Sequence, residues 1–355
     1  MKVGILTFHN AHNYGAVLQA YALKRKLTEM GHSVEILNYQ NRILKRKYRS
    51  KLNMQIKVRD MLHPRLVLSK VHFICNIPKY QSTWERQCDN FEKFIREYLL
   101  EENGREYTFE QIGNTQKDIY IAGSDQIWTS GLTGGLDKAY LLDFPTKARK
   151  ISYAASIYGG NIPERELSVF KKSLADFDHI SVREEKLATS IYESFGYHAE
   201  TVLDPTLLID ADQYIPLISK KNLCSYKYVL AYFVTDAPEL MDFARHISDK
   251  LYLKLIEIHY YKKEADNENY IADAGPAEFL WYVKNAEYVI TNSFHGTVFS
   301  ILFQKDFYSI YADDTRMDNL LNKLGLASRH LPRIDTDISL KNVDYRDVDQ
   351  KICML

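Results

Sequence analysis

A chain of 355 residues, 46% of them hydrophobic and 26% charged, has the balance of a globular protein and is too long for one compact α/β sheet, so two domains are expected. Lys+Arg and Asp+Glu both number 46, which excludes a protein whose main task is gripping nucleic acid through a general positive field. The four cysteines, Cys75, Cys88, Cys224 and Cys353, show no C-x-x-C spacing, which argues against a metal centre and against a disulfide framework.

Val3–Phe8 reads as a short buried strand, too short for the core of an export signal. No run of about 20 apolar residues is present to span a bilayer. A cytoplasmic location is therefore expected. After five polar and small residues, His9–Asn13, the spacing of Ala16, Ala20, Leu23, Leu27 and Met30 predicts a helix from Tyr14. Gly31 is its expected left-handed cap. Ser33–Tyr39 alternates like a strand, and the whole reads as a right-handed β-α-β crossover. The turn before the helix sits where open α/β sheets bind ligands, but it lacks the G-x-G-x-x-G of a dinucleotide site. Asn13 either caps the helix or helps form an anion or hydroxyl site there.

A basic stretch follows. From Arg42 to Lys70 ten basic residues face one acid, Asp60, with apolar residues interleaved. An insertion of about 42–72 is expected here. It is either a solvated helical excursion or a surface for an anionic membrane, which would make the protein peripheral at the membrane's inner face.

Four further strands are expected in the first domain. Asp118–Gly123 leads into Ser124-Asp125-Gln126, and Lys150–Ser156 follows. His179–Val182 leads into Arg183-Glu184 and a helix ended by Gly196. Ala199–Leu203 leads into Asp204-Pro205. Polar residues thus recur just after apolar strands, where a doubly wound sheet places its functional groups. The pattern breaks into turn-rich sequence near Asp210–Ser225, the expected interdomain connection. Beyond it come strand Tyr228–Val234, helix Ala237–Lys250, strand Lys254–His259, helix Pro276–Ala286 and strand Tyr288–Thr291. A turn over Asn292–Gly296, helix Thr297–Phe303 and strand Asp306–Tyr311 complete the set. The expected domains are 1–210 and 225–335, both α/β and facing a cleft. A tail, 336–355, is expected to pack back on the first domain.

The strongest chemical signal is Thr291-Asn292-Ser293-Phe294-His295-Gly296-Thr297. His295 and Gly296 fall at a strand-to-helix turn. Gly296 lets the backbone approach a ligand, and the helix start offers free N–H groups. A histidine there can hold an anion or move a proton near neutral pH, although a lone histidine is commonly structural.

Six segments in order carry a resemblance: NYGAVLQAYAL (Asn13–Leu23), GSDQIW (Gly123–Trp128), ISYAAS (Ile151–Ser156), ISVRE (Ile180–Glu184), LDPTLL (Leu203–Leu208) and ITNSFHG (Ile290–Gly296). Through them the chain resembles the polysaccharide pyruvyl transferase family over nearly its whole length. The resemblance implies two Rossmann-like domains of the glycosyltransferase-B type. It implies transfer of pyruvate from phosphoenolpyruvate onto two hydroxyls of a sugar in a surface-polysaccharide precursor. The product is a cyclic ketal, phosphate is released, and neither a metal nor a redox cofactor is required.

The resemblance also suggests roles. His295, Gly296, Arg183 and Arg316 would bind the donor, with His295 also catalytic. Arg183 reads equally as a partner of a neighbouring carboxylate, and Arg316 as a surface charge. Asp125 is the candidate base for the acceptor hydroxyl, or a helix cap. His12, Asn13, Tyr14 and Trp128 are the candidate acceptor site, the aromatic rings serving as a stacking platform. Some members carry arginine two residues before the histidine, where this chain has Ser293, so one phosphate clamp is absent or is supplied elsewhere. The basic insertion points to a lipid-linked precursor. Two other classes stay open: a nucleotide-sugar glycosyltransferase of the same architecture, and a non-catalytic glycan-binding protein.

Overall fold

The computed structural model describes residues 1–49, 81–235, 238–259, 269–311, 314–334, 340 and 342–354. The chain opens with β1 (Lys2–Leu6), the helix Tyr14–Glu29 and β2 (Ser33–Ile36). Short strands β3 (Asn38–Tyr39) and β4 (Glu106–Tyr107) pair in parallel beside it. β5 (Ile119–Ala122) and β6 (Arg149–Ser152) complete a four-stranded parallel sheet of order β2-β1-β5-β6. β7 (Ser181–Val182) and β8 (Glu200–Thr201) pair in parallel, and single bridges, such as Ala155 with Val182, extend the layer from β6.

The second sheet comprises β9 (Tyr228–Phe233), β10 (Lys254–His259), β11 (Tyr270–Ile271), β12 (Tyr288–Thr291), β13 (Asp306–Ile310) and β14 (His330–Leu331). Its order is β11-β10-β9-β12-β13-β14, all parallel. Every residue of β5, β9 and β12 is buried, as parallel strands covered on both faces require. The result is a pair of Rossmann-like α/β domains in the glycosyltransferase-B-like arrangement. The carboxyl ends of both sets of strands point to their junction.

One hydrophobic core runs through that junction. It joins Val17 and Leu18 of the first helix to Phe279 and Phe299 of the second domain. The connection near 210–225 is folded rather than open. A capping box of Asp210 and Gln213 starts the turn Ala211–Tyr214. Tyr214 is fully buried, donates to the Thr206 carbonyl at 3.0 Å, and meets Phe299 edge-on with centroids 5.1 Å apart.

Several boundaries differ from the sequence reading for identifiable reasons. The expected strand Ser33–Tyr39 splits, because the Asn38 side chain turns inward to His9 (3.1 Å) and donates to the Gly104 carbonyl (3.0 Å). The expected strand Lys150–Ser156 stops at Ser152, where Ala154 takes a left-handed φ of 53° and breaks the ladder. The helix expected from Thr297 begins at Phe294. The tail helix Tyr345–Met354 lies against the second domain and not the first: Tyr345 donates to the Lys305 carbonyl at 2.5 Å and Asp349 accepts from Gln304 at 2.9 Å. The chain is steered there when Val343 donates its N–H to Asp306 at 2.7 Å. Of the basic insertion, Arg42–Arg49 forms a helix, and 50–80 lies outside the described residues. No helix among the described residues is long and apolar enough to cross a membrane.

Candidate active site at the junction of the two sheets

The site begins at the end of β12. Thr291 Oγ1 donates to the Tyr232 carbonyl at 2.6 Å and accepts from the Ser293 N–H at 3.0 Å. Ser293 then caps the next helix, its hydroxyl accepting from the Gly296 N–H at 3.2 Å. This cap moves the helix start forward, so His295 lies in the first turn of Phe294–Leu302. Gly296 faces inward: a Cβ there would strike Thr291 Oγ1 and the Tyr232 ring. Its missing side chain seats the helix on the sheet, so the expected ligand approach at Gly296 is replaced by packing.

His295 is only 9% exposed. Its ring crosses to the first domain and rests on Gly15, where a Cβ would overlap the imidazole. Its Nε2 is 3.6 Å from Asp204 Oδ2, too far for a good hydrogen bond, and has no hydrogen-bond partner among the described residues. Asp204 follows β8 and is fixed by the N–H and the hydroxyl of Thr206, at 3.0 and 2.7 Å.

Arg183 follows β7 and is buried beneath the site. Its Nη1 donates to Asp204 at 2.8 Å, its Nη2 to Ser156 Oγ at 3.1 Å and its Nε to Glu184 at 3.3 Å. Arg183 was expected to clamp the donor. The structure instead occupies it with two carboxylates, so it organises the site from below. Two guanidiniums approach the Phe294 ring, Arg183 at 5.2 Å and Arg316 at 5.5 Å from its centroid. Arg316 is held in bidentate fashion by Asp314, at 2.9 and 2.6 Å. A cleft with about 610 Å³ of open space runs along this region, lined from both domains by Gln126, Tyr158, Gly160, Glu184, Lys186 and Arg316 among others.

Electrostatics separate the two carboxylates on Arg183. Burial alone would raise both. At Asp204 the charges of His295 and Arg183 and the Thr206 hydrogen bond reverse this and hold the carboxyl well below its ordinary range. At Glu184 burial prevails over Arg183, Ser156 and Arg316, and the carboxyl is pushed up. Arg183 itself is disfavoured by burial, but Glu184, Asp204 and Asp125 keep it firmly charged.

Asp125 sits half-buried at the end of β5 with a left-handed φ of 78° and accepts its neighbour Gln126's N–H at 2.8 Å. It caps no helix, since the next one starts at Ser130 after Thr129. Held backbone strain of this kind is commonest at functional sites.

The expected acceptor residues are placed differently. Trp128 is 1% exposed, donates to the Tyr140 carbonyl at 3.0 Å and packs edge-on against Phe170. It is a core residue and offers no stacking face. Tyr14 is also 1% exposed. It stacks on Phe279 at 4.4 Å and donates to the Ala274 carbonyl at 2.9 Å, fastening one domain to the other. His12 is buried and stacks on Phe91 at 5.2 Å. Asn13 is the helix cap, accepting from the Ala16 N–H at 3.1 Å.

The sequence reading did not single out Asp204, Glu184, Ser156, Phe294 or Asp314 as site residues. A signal was present for the first two, since each follows a short strand and Glu184 adjoins an arginine. That one guanidinium holds both acids, the second of them 21 residues beyond the arginine, is a fact of folding that spacing does not carry.

A family model described as polysaccharide pyruvyl transferase matches residues 13–314. A comparison with curated proteins returned no match. Similar solved structures include the UDP-GlcNAc 2-epimerase from Methanocaldococcus jannaschii, 12% identical, covering 99% of this chain and 92% of that one, with a TM-score of 0.49. The S. aureus MnaA–UDP co-structure is 12% identical, with 98% and 86% covered and a TM-score of 0.48. The E. coli heptosyltransferase WaaC with ADP is 11% identical, with 100% and 99% covered and a TM-score of 0.42.

Proposed function

The chain belongs to the polysaccharide pyruvyl transferase family, and from that premise we propose that it moves pyruvate from phosphoenolpyruvate onto two hydroxyls of a sugar in a surface-polysaccharide precursor. The transfer closes a cyclic ketal and releases phosphate. The observation that supports this reading best is a cleft lined by both domains into which Lys186 and Arg316 bring positive charge, with the Arg316 guanidinium over Phe294 at the start of the helix that carries His295.

The donor brings a carboxylate and a phosphate, and both need cations or N–H donors. His295, Arg316 and the first N–H groups of that helix supply them, with the partial positive charge of the helix end behind them. Arg183 contributes indirectly by holding Asp204 under His295. Asp125 takes the proton of the attacking hydroxyl. Phosphoenolpyruvate is a co-substrate, and no resident cofactor is invoked. The same proposal includes a cytoplasmic protein that meets a lipid-linked acceptor at the inner face of an anionic membrane. That part rests on the basic surplus of residues 42–72 in the sequence.

Equilibrium binding of phosphoenolpyruvate, beside a panel of UDP- and GDP-sugars, tests the reading on the wild type and His295→Ala. The expected result is phosphoenolpyruvate binding that weakens at least tenfold in the variant, about 1.4 kcal/mol or more. Binding of a nucleotide sugar in place of phosphoenolpyruvate would move the assignment to glycosyl transfer.

A further inference from the structure

The cleft wall carries a carboxyl group that the donor clamp does not use. The Glu184 side chain is 2% exposed, yet it borders the cleft beside Arg316 and Lys186. Its Oε1 is held, accepting from Ser156 Oγ at 2.6 Å and Arg183 Nε at 3.3 Å. Its Oε2 is buried and has no hydrogen-bond partner among the described residues. A buried carboxylate oxygen without a donor is costly, and a proton on that oxygen removes the cost.

We infer that Glu184 is the acid that protonates the methylene carbon of phosphoenolpyruvate from Oε2, an assignment that rests on the ketal-forming reading above. His295 is the obvious rival, but its Nε2 lies 3.6 Å from the Asp204 carboxylate, whose charge holds a proton there while the imidazolium still attracts the donor's anions. Asp204 is excluded because four donors from Arg183, Thr206 and Ser124 already saturate it. The opposite displacement of the two carboxyls agrees with this division, since pairs pushed apart are how active sites separate an acid from a permanent anion. The groups facing Glu184 are Arg183 and Ser156 from its own domain and Arg316 from the other, all favouring the ionised form against burial. The donor's anions, arriving beside Arg316, offset its charge and keep Glu184 protonated until the carbon takes the proton.

The step balances. The Glu184 proton bonds to the methylene carbon using the carbon–carbon π pair, which leaves an oxocarbenium centre at the adjacent carbon. The first hydroxyl oxygen attacks that centre and passes its proton to Asp125. The carbon–oxygen bond to phosphate breaks with its electron pair, and phosphate leaves, taking the proton from Asp125. The second hydroxyl closes the ketal, and its proton restores Glu184.

The test uses the full chain as wild type, Glu184→Gln and Glu184→Asp, with phosphoenolpyruvate as donor and a panel of p-nitrophenyl hexosides as acceptors. Phosphoenolpyruvate binding, phosphate release against pH, and thermal unfolding are measured together. Glu184→Gln is expected to bind the donor within about threefold of wild type and to lose turnover about 10²–10⁴-fold, the range of general acid catalysis. Glu184→Asp should restore part of the rate, and the alkaline limb of the wild-type profile should be absent from the residual rate of Glu184→Gln. Equal turnover in wild type and Glu184→Gln overturns the assignment, as does joint loss of donor binding and folding stability with no partial recovery in Glu184→Asp. If no hexoside is an acceptor, exchange of the donor's methylene hydrogens with deuterated water decides. Exchange in wild type and none in Glu184→Gln supports it; equal or no exchange in both overturns it. A wild type that does not bind phosphoenolpyruvate overturns the ketal-forming reading itself and this assignment with it.

Discussion

His295 owes its position to a side chain that is absent. Gly15 stands in the first turn of the opening helix, and the imidazole occupies the space its Cβ would take. In an unobstructed helix an alanine is about 1 kcal/mol better than glycine. Overpacking a fixed neighbour costs about 1–3 kcal/mol, so the clash outweighs the propensity. Gly15→Ala is therefore expected to lose stability, by about 1 kcal/mol, where propensity alone predicts a gain. Because the relief available is a shift of His295, donor affinity should fall by at least tenfold. Chemical denaturation and phosphoenolpyruvate titration of the variant measure both. A stabilised protein with unchanged affinity would show that the ring does not depend on Gly15. The left-handed Asp125 and Ala154 are the matching case on the first sheet. Both sit just past strand ends, and both tolerate a conformation that turns the chain sharply beside the cleft. The role of Gly15 was not legible in the sequence, because it depends on His295 in another element.

At the scale of elements much more could be read in advance. The bounds of β12 follow from a continuous apolar run, since a strand covered on both faces needs no polar alternation, and those of β10 from the alternation of Leu255, Ile256 and Ile258 with Lys254, Glu257 and His259. The helix from Tyr14 follows from its apolar spacing and its asparagine cap. The helix beginning at Phe294 was placed three residues late. Ser293 reads as a position where an arginine is missing, whereas its hydroxyl is what starts the helix. Aromatic residues misled for a related reason. A tyrosine or tryptophan near a strand end serves equally as a sugar platform or as packing, and only burial separates the two. Tyr14 illustrates the consequence. Its ring is clasped by Phe91 and Phe279 and its hydroxyl reaches the Ala274 carbonyl. Tyr14→Phe keeps the ring and removes the hydrogen bond, which should cost about 1–2 kcal/mol by leaving a buried carbonyl short of its donor. Phosphoenolpyruvate affinity and the KM for any acceptor should stay within about twofold. A raised acceptor KM at unchanged stability would return Tyr14 to the acceptor site.

The molecule as a whole behaves as one packing unit rather than as two bodies on a hinge. Tyr14 from the first domain, Tyr214 from the connection, and Phe279 and Phe299 from the second are each 1% exposed or less and belong to one core. Four buried aromatic side chains remove about 600–1,000 Å² from water. At about 25 cal/mol per Å² that is an upper figure of about 15–25 kcal/mol. Even if half of it belongs to packing within each domain, the remainder matches the roughly 5–15 kcal/mol that stabilises a typical protein. Separating the domains would thus consume as much free energy as unfolding one of them, and intermediates with one domain melted should not accumulate. Differential scanning calorimetry is expected to show a single transition whose calorimetric and van't Hoff enthalpies agree. Phe279→Ala, which removes the ring that Tyr14 stacks on, should lower that transition by the equivalent of about 3–5 kcal/mol and begin to split it. Two resolved transitions in the wild type would mean that the shared core contributes little. The cleft would then open by domain motion, and the seating of His295 on Gly15 would describe only the closed form. A single transition instead ties donor binding to fixed geometry, with His295 held from one sheet and Asp204 from the other by the same core that keeps the sheets together.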